Sequence, residues 1–253
     1  DWTGHPVPNR LNFIFDRLAD RHEVDVCHFN IFEEDIRQTK CNLIEMDKKE
    51  GGEISSYYLY NSLNHLKKIS EISGDYDVII SSNIIPGLWA NFNDTPVIID
   101  YLDYFPQSAS SYYKPPMNTL VRYTAGYITD YNLKNADGII TPTKKFKEYL
   151  KNKTRNKIYV IPNGIDIDLI HPSDPTSIEN LYSLKHPVLG YAGSLEKWID
   201  LESIIDLMPC LISRYPGIKL LIVGPGLHTN YAEKLKRIAE EKKVRDRVIF
   251  TGG

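Results

Sequence analysis

The segment Leu220-Leu221-Ile222-Val223-Gly224-Pro225-Gly226 decides the fold class of this chain. Four consecutive apolar residues without a helical period, closed by a glycine turn, describe a strand over residues 219–223. Residues 188–192, apolar but for Gly190, run into Gly193-Ser194, and residues 247–251, with Val248-Ile249-Phe250 at their centre, run into Gly252. Residues 201–214 and 231–243 between them read as helices. Strand, helix, strand, helix, strand is the alternation of a parallel sheet with crossover helices.

The same alternation fills the first half. A helix is expected over residues 8–21, with Leu11, Ile14, Phe15 and Leu18 at helical spacing. Short strands follow at 23–29 and 42–46, then a helix at 54–72 and buried strands at 77–80 and 96–99. Residues 101–116 are aromatic, Ser- and Pro-rich and loop-like. A helix at 118–135, a strand at 138–140, a helix at 144–150 and a strand at 158–161 complete this unit. His171-Pro172-Ser173-Asp174-Pro175 then breaks the pattern, and a poorly periodic stretch leads to His186-Pro187. The expected organisation is a first domain over 1–170, a linker over 171–186 and a second domain over 187–253. Three strands and two helices make half of a doubly wound domain, so an incomplete chain is expected, with one strand missing ahead of Asp1.

Bulk composition narrows the classes. The 253 residues are 42% hydrophobic and 25% charged, ordinary values for an α/β protein. Thirty basic against thirty-three acidic residues give a net charge of −3, without the basic footprint of a nucleic-acid binder. No apolar run approaches a membrane span, and the first residues lack the layout of a signal peptide. Cys27, Cys41 and Cys210 show no zinc or disulfide spacing, which suits thiols in a reducing compartment.

Five segments in order resemble one large family of glycosyltransferases. They are Ala136-Asp137-Gly138-Ile139-Ile140, Val160-Ile161-Pro162-Asn163-Gly164-Ile165-Asp166, Gly190-Tyr191-Ala192-Gly193-Ser194-Leu195, the segment 220–226, and Arg245-Asp246-Arg247-Val248-Ile249-Phe250-Thr251-Gly252. The chain is similar to retaining GT-B enzymes of glycosyltransferase family four. That resemblance implies two Rossmann-like parallel-sheet domains facing a cleft, the acceptor in the first and a UDP- or GDP-sugar in the second. A glycine at a strand end lets backbone approach a diphosphate, and the helix that follows offers unpaired N–H groups and a positive dipole end. Such glycines equally serve tight turns, and both readings stand. Gly224-Pro225-Gly226 lacks the third glycine of a dinucleotide fingerprint, and its proline removes a donor, which counts against NAD.

The donor-binding residues implied by the resemblance are Gly4, Gly193, Ser194, Lys197, Gly224, Gly226 and Gly252. Two departures accompany them. Serine occupies position 194, where the family commonly has an arginine, and Lys197 comes early. The turn Gly193-Ser194-Leu195-Glu196-Lys197-Trp198-Ile199-Asp200 is similar to the "G-x-x-x-x-W-x-D" turn of members that build cell-surface polymers. Ser194 can donate a hydrogen bond to phosphate but supplies no charge. The family's His-Asp at the end of a buried strand is here Leu102-Asp103. Asp103 is therefore the catalytic candidate, as a proton acceptor or sugar ligand, or else a loop carboxylate capping nearby N–H groups. No metal or other cofactor is expected, since helix dipoles can neutralise a leaving diphosphate.

Lys144, Lys145, Lys147, Lys151, Lys153, Arg155 and Lys157 face one acid, Glu148, with Phe146, Tyr149 and Leu150 interleaved. This run is either a solvated helix face or a surface for anionic membranes. Tyr101, Tyr104, Phe105, Tyr112 and Tyr113 either stack on sugars or pack their loop down. The expected function is hexosyl transfer from a nucleotide sugar to a glycan or lipid-linked acceptor in cell-surface glycoconjugate synthesis. The expected compartment is the cytoplasm, with the basic run as its attachment to the membrane inner face. A non-catalytic nucleotide- or glycan-binding scaffold and a sugar-nucleotide epimerase are the alternatives.

Overall fold

The computed structural model describes residues 9–28, 38–46, 54–164, 172–196, 199–226 and 230–252. The chain divides into two compact units, Asp1–Asp166 and Ile167–Gly253. Every strand pair among the described residues is parallel, so the α/β reading with Rossmann-like sheets in both halves holds.

The first unit runs α1 (Asn9–Leu18), β1 (Asp25–His28), β2 (Asn42–Glu45), α2 (Ile54–Ile72), β3 (Ile79–Ser81), α3 (Ile84–Ala90), β4 (Val97–Asp100), α4 (Phe105–Ser111), α5 (Met117–Asn135), β5 (Gly138–Thr141), α6 (Lys144–Lys151) and β6 (Ile158–Val160). β3 to β6 form one sheet in chain order, while β1 and β2, among the described residues, pair only with each other. Val97 and Ile99 of β4, Ile139 of β5, Leu133 of α5 and Leu150 of α6 make the core. Each such side chain contributes about 1.5–3 kcal/mol by leaving water. The turn after α6 is pinned to the end of α5. Asn156 Nδ2 donates to the carbonyls of Leu133, Lys134 and Ala136, and Thr154 Oγ1 donates to Leu133. Those carbonyls are the orphan acceptors of a helix C-terminus.

Two helices stand where none was expected, and a third interrupts the linker stretch. α3 is capped by Asn83, whose Oδ1 accepts from the N–H of Ile85. It carries Pro86 and Gly87 within seven residues, too short and too broken to show a period. Gly87 packs closely there: a Cβ would lie 3.0 Å from Ile99 Cδ1 and 3.1 Å from Asn132 Nδ2, so those side chains would have to give way. α4 lies inside the stretch read as loop. Its first residue, Phe105, meets the ring of buried Tyr101 edge-on at 5.2 Å, a contact that composition does not reveal.

The second unit runs α7 (Thr176–Leu181), β7 (Val188–Ala192), α8 (Leu201–Arg214), β8 (Lys219–Val223), α9 (Tyr231–Glu241) and β9 (Val248–Gly252). Its sheet has the order β7-β8-β9. Leu201, Ile205 and Met208 of α8 and Tyr231, Leu235 and Ala239 of α9 recur every three or four residues and are buried against Leu220, Ile222 and Val248. The register sets Ala192 beside Val223. A bulge between Ile222 and Val223 then brings Gly252, not Thr251, beside Val223. All three strand ends therefore arrive at one edge.

Candidate functional site

In the second unit the carboxyl ends of β7, β8 and β9 are tied by their own backbone. The N–H of Gly193 donates to Val223 O at 2.9 Å, and that of Gly224 donates to Gly252 O at 2.8 Å. The φ angles of Gly193, Gly224 and Gly252 are 154°, 135° and 79°, a region that side chains avoid. A Cβ on Gly224 would lie 2.0 Å from the carbonyl oxygen of Gly193. At Gly224 the turn requirement and the bare surface coincide: the backbones can meet there only without a side chain, and the meeting leaves Gly193 and Gly252 exposed at the edge where open α/β sheets take ligands. Leu195 N donates to Pro225 O at 2.9 Å and so joins the two turns. Gly226 is exposed beyond Pro225, and Ser194 is half-buried, its carbonyl accepting from Tyr191 Oη at 2.8 Å. Burial first, and the nearby Glu196 carboxylate second, hold the Tyr191 phenol above its ordinary value. Gly4 and Lys197 lie outside the described residues.

Two residues of this turn gain structural accounts. Glu196 is fully buried directly after Leu195. Asp200, the last residue of the tryptophan-containing motif, caps α8: Oδ1 accepts from Ser203 N at 3.2 Å, and Oδ2 accepts from Ser203 Oγ at 2.7 Å. Its carboxyl is held below its usual value by those hydrogen bonds.

At the carboxyl edge of the first unit's sheet, Asp103 is exposed and Oδ1 accepts from the N–H of Tyr104 at 2.7 Å. The buried carboxylate is Asp100, at the end of β4. Arg10 of α1 donates to both its oxygens, through Nε at 3.3 Å and Nη2 at 3.4 Å. Arg10 Nη1 also donates to Ile161 O at 2.7 Å and Asn163 Oδ1 at 3.1 Å. One guanidinium thus joins α1, the end of β4 and the segment leaving β6. Burial pushes the Asp100 carboxyl up, opposed by Arg10. This cluster is not legible in the sequence because Arg10 lies 90 and more residues from each of its partners. The available signal was an arginine on the apolar helix of Leu11 and Ile14, and an aspartate ending a β-branched run.

Within the aromatic segment Tyr101, Tyr104 and Phe105 pack inward, whereas Tyr112 is exposed. Tyr101 is fully buried, and Tyr104 lies 4.7 Å from the ring of Phe146 and 5.2 Å from that of Tyr149. Among the described residues no group of three or more His, Cys, Asp or Glu is placed to hold a metal, and no helix is long and apolar enough to cross a membrane.

Residues 12–169 match the family model described as Glycosyltransferase Family 4. A GDP-mannose-dependent alpha-(1-6)-phosphatidylinositol monomannoside mannosyltransferase of Mycobacterium tuberculosis is 32% identical over 97 residues, covering 37% of this chain and 24% of its own. Sucrose-phosphate synthase from Thermosynechococcus elongatus superposes with a TM-score of 0.71 at 18% identity, over 94% of this chain and 62% of its own. HepE of Anabaena, in complex with UDP-glucose, gives 0.69 at 19% identity, over 100% of this chain and 67% of its own. The chain thus spans about a quarter of the curated relative and under two thirds of the synthase. The superpositions carry the two-unit parallel-sheet fold, and the family match covers more than half the chain: this protein belongs to Glycosyltransferase Family 4.

Proposed function

We propose that this chain is the greater part of a glycosyltransferase that moves a hexosyl group from a UDP- or GDP-sugar to a glycan or lipid-linked acceptor. The observation that carries the reading is the edge of Gly193, Gly224 and Gly252, where three strand ends meet without a side chain between them. Bare backbone at such an edge admits a diphosphate close to N–H groups. The relatives support a nucleotide-sugar donor, one by its complex with UDP-glucose and one by its dependence on GDP-mannose. The mannosyltransferase's phosphatidylinositol acceptor supports a lipid-linked acceptor. In this reading leaving-group charge is met by backbone N–H groups and helix dipoles without a resident metal. Asp103 contributes as a sugar ligand after releasing Tyr104 N–H, and the basic residues 144–157 face the cytoplasmic leaflet.

Calorimetry on the full-length protein tests the donor site: UDP or GDP binding is expected, and NAD binding in its place refutes it. Donor turnover with and without glycan acceptors tests the reaction. Acceptor-dependent release of nucleoside diphosphate is expected. Acceptor-independent isomerisation of the sugar would mean an epimerase, and nucleotide binding without turnover would mean a scaffold.

A further inference from the structure

At the amino end of β6, opposite to Ile161 and Asn163, the structure holds an open pocket of about 420 Å³. Its cations are Lys147 and Lys151 from α6 and Arg155 and Lys157 from the turn that enters β6, with Tyr159 beside them. No acid lines it. None of the four cations forms an ion pair among the described residues, whereas neighbouring Lys153 is paired with Asp130 at 2.7 Å. Stability does not explain the set. A cation in the last turn of α6 complements the helix dipole, which accounts for Lys151. Arg155 and Lys157 lie outside that helix, in a chain whose net charge is −3.

The wall is also anchored by side-chain hydrogen bonds. Thr154 and Asn156 alternate with the two cations and bond to the carboxyl end of α5 through Leu133, Lys134 and Ala136 carbonyls. This anchoring holds the backbone of Arg155 and Lys157 while leaving their charged ends exposed. Lys157, the residue before β6, and Tyr159 within it are two positions apart, and both are exposed. Four cations and a phenol around one pocket, without a competing carboxylate, form the donor set for a compact anion of more than one charge.

We propose that this pocket binds a phosphate-ester group. The shared chemistry belongs to free phosphate compounds and to the headgroup of an anionic lipid. It is independent of the donor chemistry at the glycine edge. In its lipid form it sharpens the membrane reading of residues 144–157 from a diffuse charged surface to one seat.

The test compares two variants of the full-length protein with equal loss of charge. Lys147→Gln with Arg155→Gln empties the pocket of two cations, and Lys144→Gln with Lys145→Gln removes two from the same segment outside it. Each is titrated with inorganic pyrophosphate by calorimetry and sedimented with vesicles of phosphatidic acid in phosphatidylcholine, with unfolding midpoints confirming intact folds. Saturable pyrophosphate binding weakened on the order of tenfold by the pocket pair, and less than about twofold by the control pair, supports the proposal with a free phosphate compound as ligand. Vesicle binding with that same selectivity, without pyrophosphate binding, supports it with the headgroup as ligand. Equal weakening by both pairs overturns the pocket while leaving a diffuse membrane surface standing. Binding indifferent to both pairs, or none to either probe, also overturns it.

Discussion

Gly224 and Gly252 are one hydrogen bond apart, yet a methyl group added to each meets a different obstacle. At Gly224 it would enter the carbonyl of Gly193, 2.0 Å away, so the strand edge must open. Gly224→Ala is expected to cost roughly 2–5 kcal/mol, overpacking and backbone strain together, and to abolish nucleotide binding. At Gly252 nothing lies within 4 Å and only the φ of 79° resists, so Gly252→Ala should cost about 1–2 kcal/mol. Gly190→Ala, with open space and ordinary φ, is the near-neutral control. Urea denaturation of the three variants ranks them, and any other order contradicts the assigned geometry. Arg10 offers a second test. Arg10→Met leaves Asp100 buried without its cation and should cost about 3–5 kcal/mol at neutral pH. The Asp100 carboxyl is already held above its unfolded value, so its contribution is present below the unfolded pKa and is lost as pH rises through the folded one. The deficit of Arg10→Met should therefore narrow towards acid pH. A deficit that widens there is inconsistent with a buried unpaired carboxylate.

For whole helices, α6 shows how one element serves two environments. Thr143 caps it, Oγ1 accepting from Phe146 N at 3.1 Å, and Thr143→Ala should cost about 1 kcal/mol in thermal unfolding. Phe146, Tyr149 and Leu150 turn to the core, around Tyr101 and Tyr104. The aromatic residues interleaved with the lysines are thus committed to packing, and only the cationic face is left for a membrane. Any vesicle association should accordingly be electrostatic and disappear near 1 M salt, where the screening length is about 3 Å. Association that persists in high salt would require inserted apolar residues and would contradict this arrangement.

At the scale of the whole molecule, two separate cores stand out among the described residues: one around Ile139, Leu133 and Leu150, the other around Ile205, Met208 and Leu235. Leu235→Ala removes a fully buried side chain and should cost about 2–5 kcal/mol. Hydrogen exchange should then accelerate in β7, β8 and β9 and stay unchanged in β3 to β6. Equal acceleration in both units would mean a single cooperative block. The first unit also carries a pH dependence. Burial holds His28 and His65 below the ordinary histidine value of 6.5. The unfolded chain therefore takes up protons that the folded one refuses, and stability present above about pH 6.5 is lost as pH falls. The unfolding midpoint of the first unit should be lower at pH 5.5 than at 7.5.

Strands 188–192 and 219–223 and helices 54–72 and 201–214 were legible to their end residues. Each is a local pattern: a short, mostly apolar run stopped by a glycine turn, or an apolar period carried over at least fourteen residues. Parallel sheets in both halves follow from those patterns, because only crossover helices connect parallel strands so regularly. The ends of β7, β8 and β9 were recognisable as glycine turns, but their meeting rests on sheet register and on the bulge at Val223, which no single segment encodes. α3 and α4 were hidden because fewer than two turns carry no period, and their stability comes from contacts with β4, α5 and Tyr101. The split of the first unit's strands into two sheets is likewise a matter of pairing. Arg10, Asp100 and Asn163 are ordinary polar residues along the chain. Folding makes them one buried cluster, since desolvation and charge pairing act through space between groups that sequence separates by 90 and 153 positions.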